Sequence, residues 1–411
     1  MKEKLPNTAP VLLRPAAPLT GGRFLQGPQA SLRLGRQNGA DDTYCVSRLS
    51  LQPMLDKPTR FPPSAEPQPT TAPQSSACAP TAGCLFSGMG GFASGLAASG
   101  FTVLWASDNN ADACAAFSHR HPGVRVLQRD VQDLRVDADG LTPVDVLTAG
   151  FPCQSFSQAG GRMGFDDDRG KAFFQIPRLL SEFTPQRRPK FLILENVEYI
   201  LYGNDGRWFD TIQRELRQVG YWFRRQSCWQ VNVKDATTIP QDRSRVFLVA
   251  ASREHYSHNP FKPPIIQATR AADVNSFLDR SKRANDDDYL PKDNKYCKMI
   301  ESKISEGESS KNLYQLRRSY VREKRGKQCP TLTANMGIGG HNVPFIKDSW
   351  GIRRLTVEEI ARLQGFDTSI SLFPDLTPQA QYRLLGNAVC PELARLVAKE
   401  CFPHLTLGEE M

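Results

Sequence analysis

No Cys-x-x-Cys pair occurs in the chain: its ten cysteines stand at positions 45, 78, 84, 114, 153, 228, 297, 329, 390 and 401. That scatter excludes the ligand spacing of a zinc knuckle and offers no disulfide framework, so a reducing compartment is expected. No apolar run approaches the ~18 residues of a membrane-spanning helix, and no membrane partner is expected. The first residues, Met1-Lys2-Glu3-Lys4-Leu5-Pro6, hold no apolar signal core, which makes a soluble, cytoplasmic chain the expectation. No internal repeat is visible, and no metal-binding set stands out.

What the chain does have is size and positive charge. Its 411 residues, 40% hydrophobic, suffice for two domains, one with a large core. The formal net charge of +9 fits a polyanionic partner, although net charge bears on association and not on fold. Residues 1 to 78 are rich in Pro, Ala, Ser, Thr and Gln without periodicity. Such a segment buries too little apolar surface to offset its ordering entropy, so it reads as disordered.

The chain is organised around Ala149-Gly150-Phe151-Pro152-Cys153-Gln154. This stretch follows the apolar run Val144-Asp145-Val146-Leu147, which places Cys153 in the loop at the carboxyl end of a buried strand, where open α/β sheets hold their chemistry. Pro152 disfavours helix at Phe151, and Gly150 lets backbone approach a ligand. Taken alone, a loop cysteine is more often an inert small hydrophobe than a nucleophile.

Order is expected to begin at Ala82-Gly83-Cys84-Leu85-Phe86, a short strand. A glycine turn, Ser87-Gly88-Met89-Gly90-Gly91, and a helical pattern from Phe92 follow, an arrangement that presents backbone N–H groups to a ligand. The strands Thr102 to Ser107 and Val124 to Leu127 end at Asp108 and near Asp130, placed to accept hydrogen bonds from an adenosine-bearing cofactor. Both acids also read as turn or capping residues. Gly88-x-Gly90-x-x-Ala93 with Asp108 fits a loose dinucleotide fingerprint as well, although a hydride-transfer enzyme has no need of the Pro-Cys strand end.

Beyond Cys153, the loop Gln158 to Gly170 has the length of a mobile lid. A helix from Lys171 to Leu180 is expected to kink at Pro177. The strand Lys190 to Leu194 delivers Glu195-Asn196-Val197 to the sheet edge of Cys153 if the strands are parallel, and there Glu195 either handles a proton or caps the next segment. An amphipathic helix from Arg207 ends at Gly220, and strands are expected near 221–233 and 244–250. Between them, Gln241-Asp242-Arg243-Ser244-Arg245 projects its arginines to one face, for a base, a phosphate or solvent.

From 256 to 350 Lys, Arg, Asp and Ser are abundant and long apolar strands disappear. The basic run Arg317 to Lys327 reads as a solvated helix face or a phosphate contact, and Thr331 to Asn335 with glycines 337, 339 and 340 as a loop-rich module. Arg354 to Phe366 is a helix with Thr356 as N-cap and Glu359 completing a capping box. Gly386-Asn387-Ala388-Val389-Cys390-Pro391 precedes a last helix through Leu393, Leu396 and Val397.

The ordered set Phe86-x-Gly88-x-Gly90, Pro152-Cys153-Gln154, Glu195-Asn196-Val197, Gln241-x-Arg243-x-Arg245, Arg354-Leu355-Thr356-x-x-Glu359 with Leu363-Gln364-Gly365-Phe366, and Gly386-Asn387-Ala388-Val389 closely resembles the cytosine-C5 DNA methyltransferases, of the bacterial restriction-modification type. The resemblance covers about residues 80 to 411 outside 256–350. It implies an α/β fold, a doubly wound, Rossmann-like, mostly parallel sheet of the S-adenosyl-L-methionine-dependent kind. A catalytic domain at 79–255, a smaller inserted target-recognition domain at 256–375 and a C-terminal helix at 376–411 returning to the sheet are then expected.

The resemblance further implies Cys153 as thiolate nucleophile at C6 of a flipped cytosine and Glu195 as proton donor at N3. Arg245 would contact the base, with Gln241 and Arg243 organising the pocket. Phe86, Gly88, Gly90, Asp108, Asp130, Pro152, Asn387 and Ala388 would line the S-adenosyl-L-methionine site. Asp108 stands where the family usually has Glu, Asn109 where a bulky residue often packs, and Asn110 where Asp is frequent; each change weakens the expected cofactor grip. Double-stranded DNA is the implied partner of a monomer near the nucleoid, and a cognate restriction endonuclease its functional counterpart. A tRNA methyltransferase with nearly the same motifs and a silent DNA-binding relative are the alternatives.

Overall fold

The computed structural model describes residues 79–156, 163–266, 271–305, 309–317, 319–325, 327–337, 342–368, 373 and 375–406. Its elements in order are β1 (Thr81–Leu85), α1 (Gly91–Ala97), β2 (Thr102–Asp108), α2 (Ala111–Arg120), β3 (Arg125–Gln128), β4 (Val146–Ala149), α3 (Asp168–Lys171), α4 (Gln175–Glu182), β5 (Phe191–Asn196), α5 (Arg207–Gln218), β6 (Tyr221–Trp222), β7 (Cys228–Asn232), α6 (Val233–Ala236), β8 (Gln241–Asp242) and β9 (Ser244–Ser252). Then come α7 (Lys295–Ser305), β10 (Leu313–Leu316), β11 (Val321–Lys324), β12 (Cys329–Pro330), β13 (Pro344–Lys347), β14 (Ile352–Arg354), α8 (Val357–Gln364), α9 (Pro378–Asn387), α10 (Pro391–Cys401) and α11 (Pro403–Thr406).

The main sheet runs β3-β2-β1-β4-β5-β9-β6, with β7 also paired to β9. The first five strands in that order are mutually parallel, and β9 is antiparallel to β5, β6 and β7. Strand order reverses beside β1, so the carboxyl ends of β1 and β4 flank the crevice where such sheets bind ligands. Every residue of β4 and β5 is buried, as expected for parallel strands covered on both faces. One cover holds Leu179, Leu180, Ile212 and Leu216 of α4 and α5; the other holds Phe92 and Leu96 of α1 with Leu393 and Val397 of α10.

Glycine decides how closely that second cover lies. A Cβ on Gly91 would stand 2.1 Å from the Val389 carbonyl oxygen, and one on Gly95 would stand 2.5 Å from that of Pro391. Gly91→Ala is therefore expected to destabilise the chain by about 1–3 kcal/mol, the usual cost of overpacking. A clear fall in Tm is the readout, and an unchanged Tm would show that the 389 segment moves freely away from α1.

Three sequence readings change here. Gly164–Asp166 forms a 3-10 turn and Asp168–Lys171 forms α3, so the loop read through Gly170 closes earlier, while 157–162 lie outside the described residues. Gly164 makes this possible at φ +59, where a side chain would strike the Trp208 indole. Pro177 does not kink a helix interior. It sits in the first turn of α4, whose N–H groups have no intrahelical acceptor, and the irregularity lies upstream in the 3-10 turn Ala172–Phe174.

The third concerns the basic run, which is not a helix face, while 331–335 is loop as read. Four antiparallel strands, in the order β11-β10-β13-β14, form a second sheet there, with the basic run in the β10–β11 hairpin. Strict alternation was missing because Leu313–Leu316 is buried on all four residues. The hairpin is followed by β12, which pairs in parallel with β8 through Cys329 and Gln241. On β14, Arg353 is fully buried between Asp348 and Glu359, at 2.8 Å from each. The expected capping box of Thr356 and Glu359 opens α8. Glycines 339 and 340 lie outside the described residues.

Candidate active site

Three strand ends build the site. After β1 the chain turns through Phe86 at φ 51, Gly88 at φ 53 and Gly90 at φ 92. A left-handed Phe86 is strained backbone, the kind that gathers at ligand sites. The Gly88 N–H donates to Asp108 Oδ2 at 2.9 Å and the Asn110 N–H to Oδ1 at 3.0 Å, so Asp108 ties the glycine turn to the start of α2. Burial raises the pKa of that carboxyl, and the N–H groups of Asn110, Gly88 and Asn109 oppose the rise.

At the end of β4, buried Phe151 packs against Phe156 and Phe173 and anchors the Pro152-Cys153 turn. The Phe156 N–H donates to the Cys153 carbonyl at 3.0 Å. From the end of β5, the fully buried Asn196 donates through Nδ2 to the Phe151 carbonyl at 3.1 Å and accepts from the Val197 N–H at 2.8 Å. Asn196 thus sets the cysteine turn against the glutamate beside it, a positioning role whose only sequence signal was its place next to Glu195.

Glu195, 8% exposed, pairs with Arg245: Nε to Oε1 is 2.9 Å. Arg245 and Arg243 do share one face of the chain entering β9, yet they do different things. Arg243 is buried and donates to the carbonyls of Leu332 and Ala388, each at 2.9 Å, which joins the segment after β12 to the one after α9. Gln241 points into the interior, donating to the Leu363 carbonyl at 2.7 Å and to Gln364 Oε1 at 2.9 Å and accepting from the Leu332 N–H at 3.1 Å.

Around Cys153 lies a cavity of about 270 Å³. Every residue assigned to catalysis or to the cofactor by the resemblance lines it except Gly90, Asp130 and Gln241, and Arg383 joins it. Asp130 lines an adjoining cavity of about 270 Å³, together with Phe86, Asp108 and Pro152. Gly90 is backed by His121, whose Nε2 would be 2.4 Å from a Cβ there. A larger cavity of about 790 Å³ lies between Ile239, Phe366 and Leu396 and touches none of these groups.

The electrostatics of the pair are coupled. Burial pushes the Cys153 thiol up; Arg245 pulls it down, Glu195 adds to the rise and Arg243 opposes it. Burial likewise raises the Glu195 carboxyl against the pull of Arg245 and Arg243. Arg243 is lowered to about 9 by burial and by Arg245, which leaves it charged at neutral pH. Among the described residues no His/Cys/Asp/Glu group is placed to hold a metal ion, and no helix is long and apolar enough to cross a membrane.

A doubly wound sheet whose strand ends gather a thiol, a carboxylate and a guanidinium beside a glycine turn is the frame of a Rossmann-like group-transfer enzyme. The family model of the C-5 cytosine-specific DNA methylases matches residues 83–403, and the chain belongs to that family. Over 324 residues it is 34% identical to the Type II methyltransferase M.Bsp6I of Bacillus sp. (strain RFL6), covering 78% of this chain and 98% of that protein. Over 322 residues it is 30% identical to the Type II methyltransferase M.NlaX of Neisseria lactamica, covering 77% and 94%. Among solved structures, the methyltransferase EhMeth of Entamoeba histolytica shares the fold at a TM-score of 0.58 and 19% identity, over 80% of this chain and 98% of that one. The protein is a DNA cytosine-C5 methyltransferase.

Proposed function

We propose that the chain methylates C5 of a cytosine flipped out of duplex DNA, within one short sequence, by way of a covalent bond to Cys153. The observation that carries this reading is the Glu195–Arg245 ion pair of 2.9 Å in the cavity that also holds Cys153. C5 of cytosine is a weak nucleophile. Addition of the Cys153 thiolate to C6, with a proton placed on N3 by Glu195, moves the ring electrons to C5 as an enamine. Arg245 holds the carboxyl in place and favours the thiolate. After transfer the C5 proton leaves to base, the Cys153–C6 bond breaks as the N3 proton returns to Glu195, and the thiolate is regenerated.

The cavity residues fit S-adenosyl-L-methionine: a half-buried carboxylate, Asp108, beside a glycine turn, with Asp130, Phe86 and Pro152 around the adjoining space. When bound, that donor supplies a methyl group activated by a sulfonium. Asp108 and Asp130 would hold its adenosine, and the turn at Gly88 would take its tail. Asn387 and Ala388 would close the wall.

The second sheet within 256–375 serves as the target-recognition domain, and 376–411 returns to the catalytic domain at 79–255. The names of the relatives support a type II modification role. A restriction endonuclease as functional counterpart, and a monomer at the nucleoid as the working form, complete the proposal. Labelled methyl transfer to unmethylated duplex DNA, with tRNA in parallel and sequencing of modified positions, tests the reading. Cytosine label in one short DNA motif is expected; label on tRNA alone, or on neither, would overturn it.

A further inference from the structure

Among the described residues three arginines line the cavity, and two are committed: Arg245 to Glu195 and Arg243 to buried carbonyls. The third, Arg383 on α9, meets Asp112 in the first turn of α2 at 2.7 Å, across 271 residues of chain. This ion pair is open to water, its side chains 48% and 37% exposed, and an exposed pair is a weak tie that another carboxylate readily replaces. The same cavity holds Ser87, whose hydroxyl is buried and has no hydrogen-bond partner among the described residues. A buried hydroxyl left unpaired calls for a ligand atom.

We propose that Arg383 receives the α-carboxylate of the methyl donor's amino-acid tail, with Ser87 as a second hydrogen-bonding group there and Asp112 as the carboxylate that holds Arg383 in place when the site is empty. The inference rests on the donor reading above. The acidic groups Asp108 and Asp130 share the adenosine side, and Cys153 with Glu195 marks the end where the methyl group is used. The tail is left with the space between the glycine turn and α9, lined by Gly88, Asn110, Asn387 and Arg383. A guanidinium suits a carboxylate there because its planar fork can bond both oxygens.

Calorimetric binding of two ligands to the full chain tests this: S-adenosylhomocysteine, which keeps the amino-acid tail, and 5′-methylthioadenosine, which lacks it. Arg383→Gln is expected to weaken S-adenosylhomocysteine about tenfold, the loss of a charge-assisted contact, and to leave methylthioadenosine unchanged. Arg383→Lys should recover part of the loss, and Asp112→Asn should bind S-adenosylhomocysteine as well as the parent chain or better. Equal weakening of both ligands by Arg383→Gln, or a loss in Asp112→Asn matching it, would make the pair a structural latch and overturn the proposal. So would unchanged binding in Arg383→Gln. Failure of the parent chain to bind S-adenosylhomocysteine would instead sink the donor reading.

Discussion

Cys153→Ala is expected to abolish methyl transfer, a loss of at least about 10⁴-fold by the measure of nucleophile deletions in enzymes with covalent intermediates. Without addition at C6, C5 never becomes an enamine, and neither Glu195 nor Arg245 can supply the missing bond. The substitution leaves the site's frame in place. The turn is held by main-chain groups, the Phe156 N–H on the Cys153 carbonyl at 3.0 Å and Asn196 Nδ2 on the Phe151 carbonyl at 3.1 Å, and neither bond involves the thiol. Binding of S-adenosylhomocysteine should accordingly be little changed. A direct readout uses duplex DNA carrying 5-fluorocytosine, in which C5 has no proton to lose after transfer. The parent chain should form a DNA adduct that survives denaturation, and Cys153→Ala should form none. Turnover in the variant would remove the covalent mechanism.

Much of this site could be read along the chain because its parts are short strand ends with distinctive chemistry. Glu195 and Arg245 each stand one step from an apolar run, and Cys153 stands four residues past the end of β4, so the strand that buries the run also places the side chain at the sheet edge. The sheet was legible for the same reason: β5 is buried throughout and begins with the uninterrupted apolar run Phe191-Leu192-Ile193-Leu194. What escaped was whatever depends on a distant partner. Arg243 and Arg245 look alike two residues apart, yet one donates to the carbonyls of Leu332 and Ala388 and the other to Glu195. Gln241 carries its motif by bridging Leu332 to α8, far from any exposed surface.

Local rules also gave way where tertiary burial took over. The 313–316 strand has no polar alternation because the second sheet is covered at that strand, so the region around it read as loop. Asp108 was read both as a cofactor ligand and as a turn or capping residue, and its oxygens accept from the Gly88 and Asn110 N–H groups at 2.9 and 3.0 Å. Each carboxylate oxygen accepts more than one bond, so the ligand role stays open to it, now as part of the wall that shapes the glycine turn. The Arg383–Asp112 pair joins α9 to α2, and nothing in either local sequence announces it.

Glu195→Gln is expected to cost roughly 10²–10⁴-fold in rate, the range of a positioned general acid. The amide is close in shape, and its oxygen can still accept from Arg245 Nε, so the cavity should persist and DNA binding with it. The pH dependence separates chemistry from structure. Burial raises the Glu195 carboxyl, and donation to N3 needs the protonated form, so the activity it carries is complete below its raised pKa and is lost as pH climbs through it. Cys153 works as the anion and is itself raised by burial, so its contribution grows with pH. The parent profile should be a bell bounded by these two groups as a coupled pair. In Glu195→Gln the descending limb due to the carboxyl should vanish. The negative charge that helps push the thiol up also disappears, while Arg245 and Arg243 still favour the thiolate. Alkylation of Cys153 by iodoacetamide, followed by mass spectrometry across pH, should show its midpoint moving down. A midpoint that stays or rises would mean that no carboxylate charge acts on the thiol, and an unchanged turnover rate would place the N3 proton donor elsewhere.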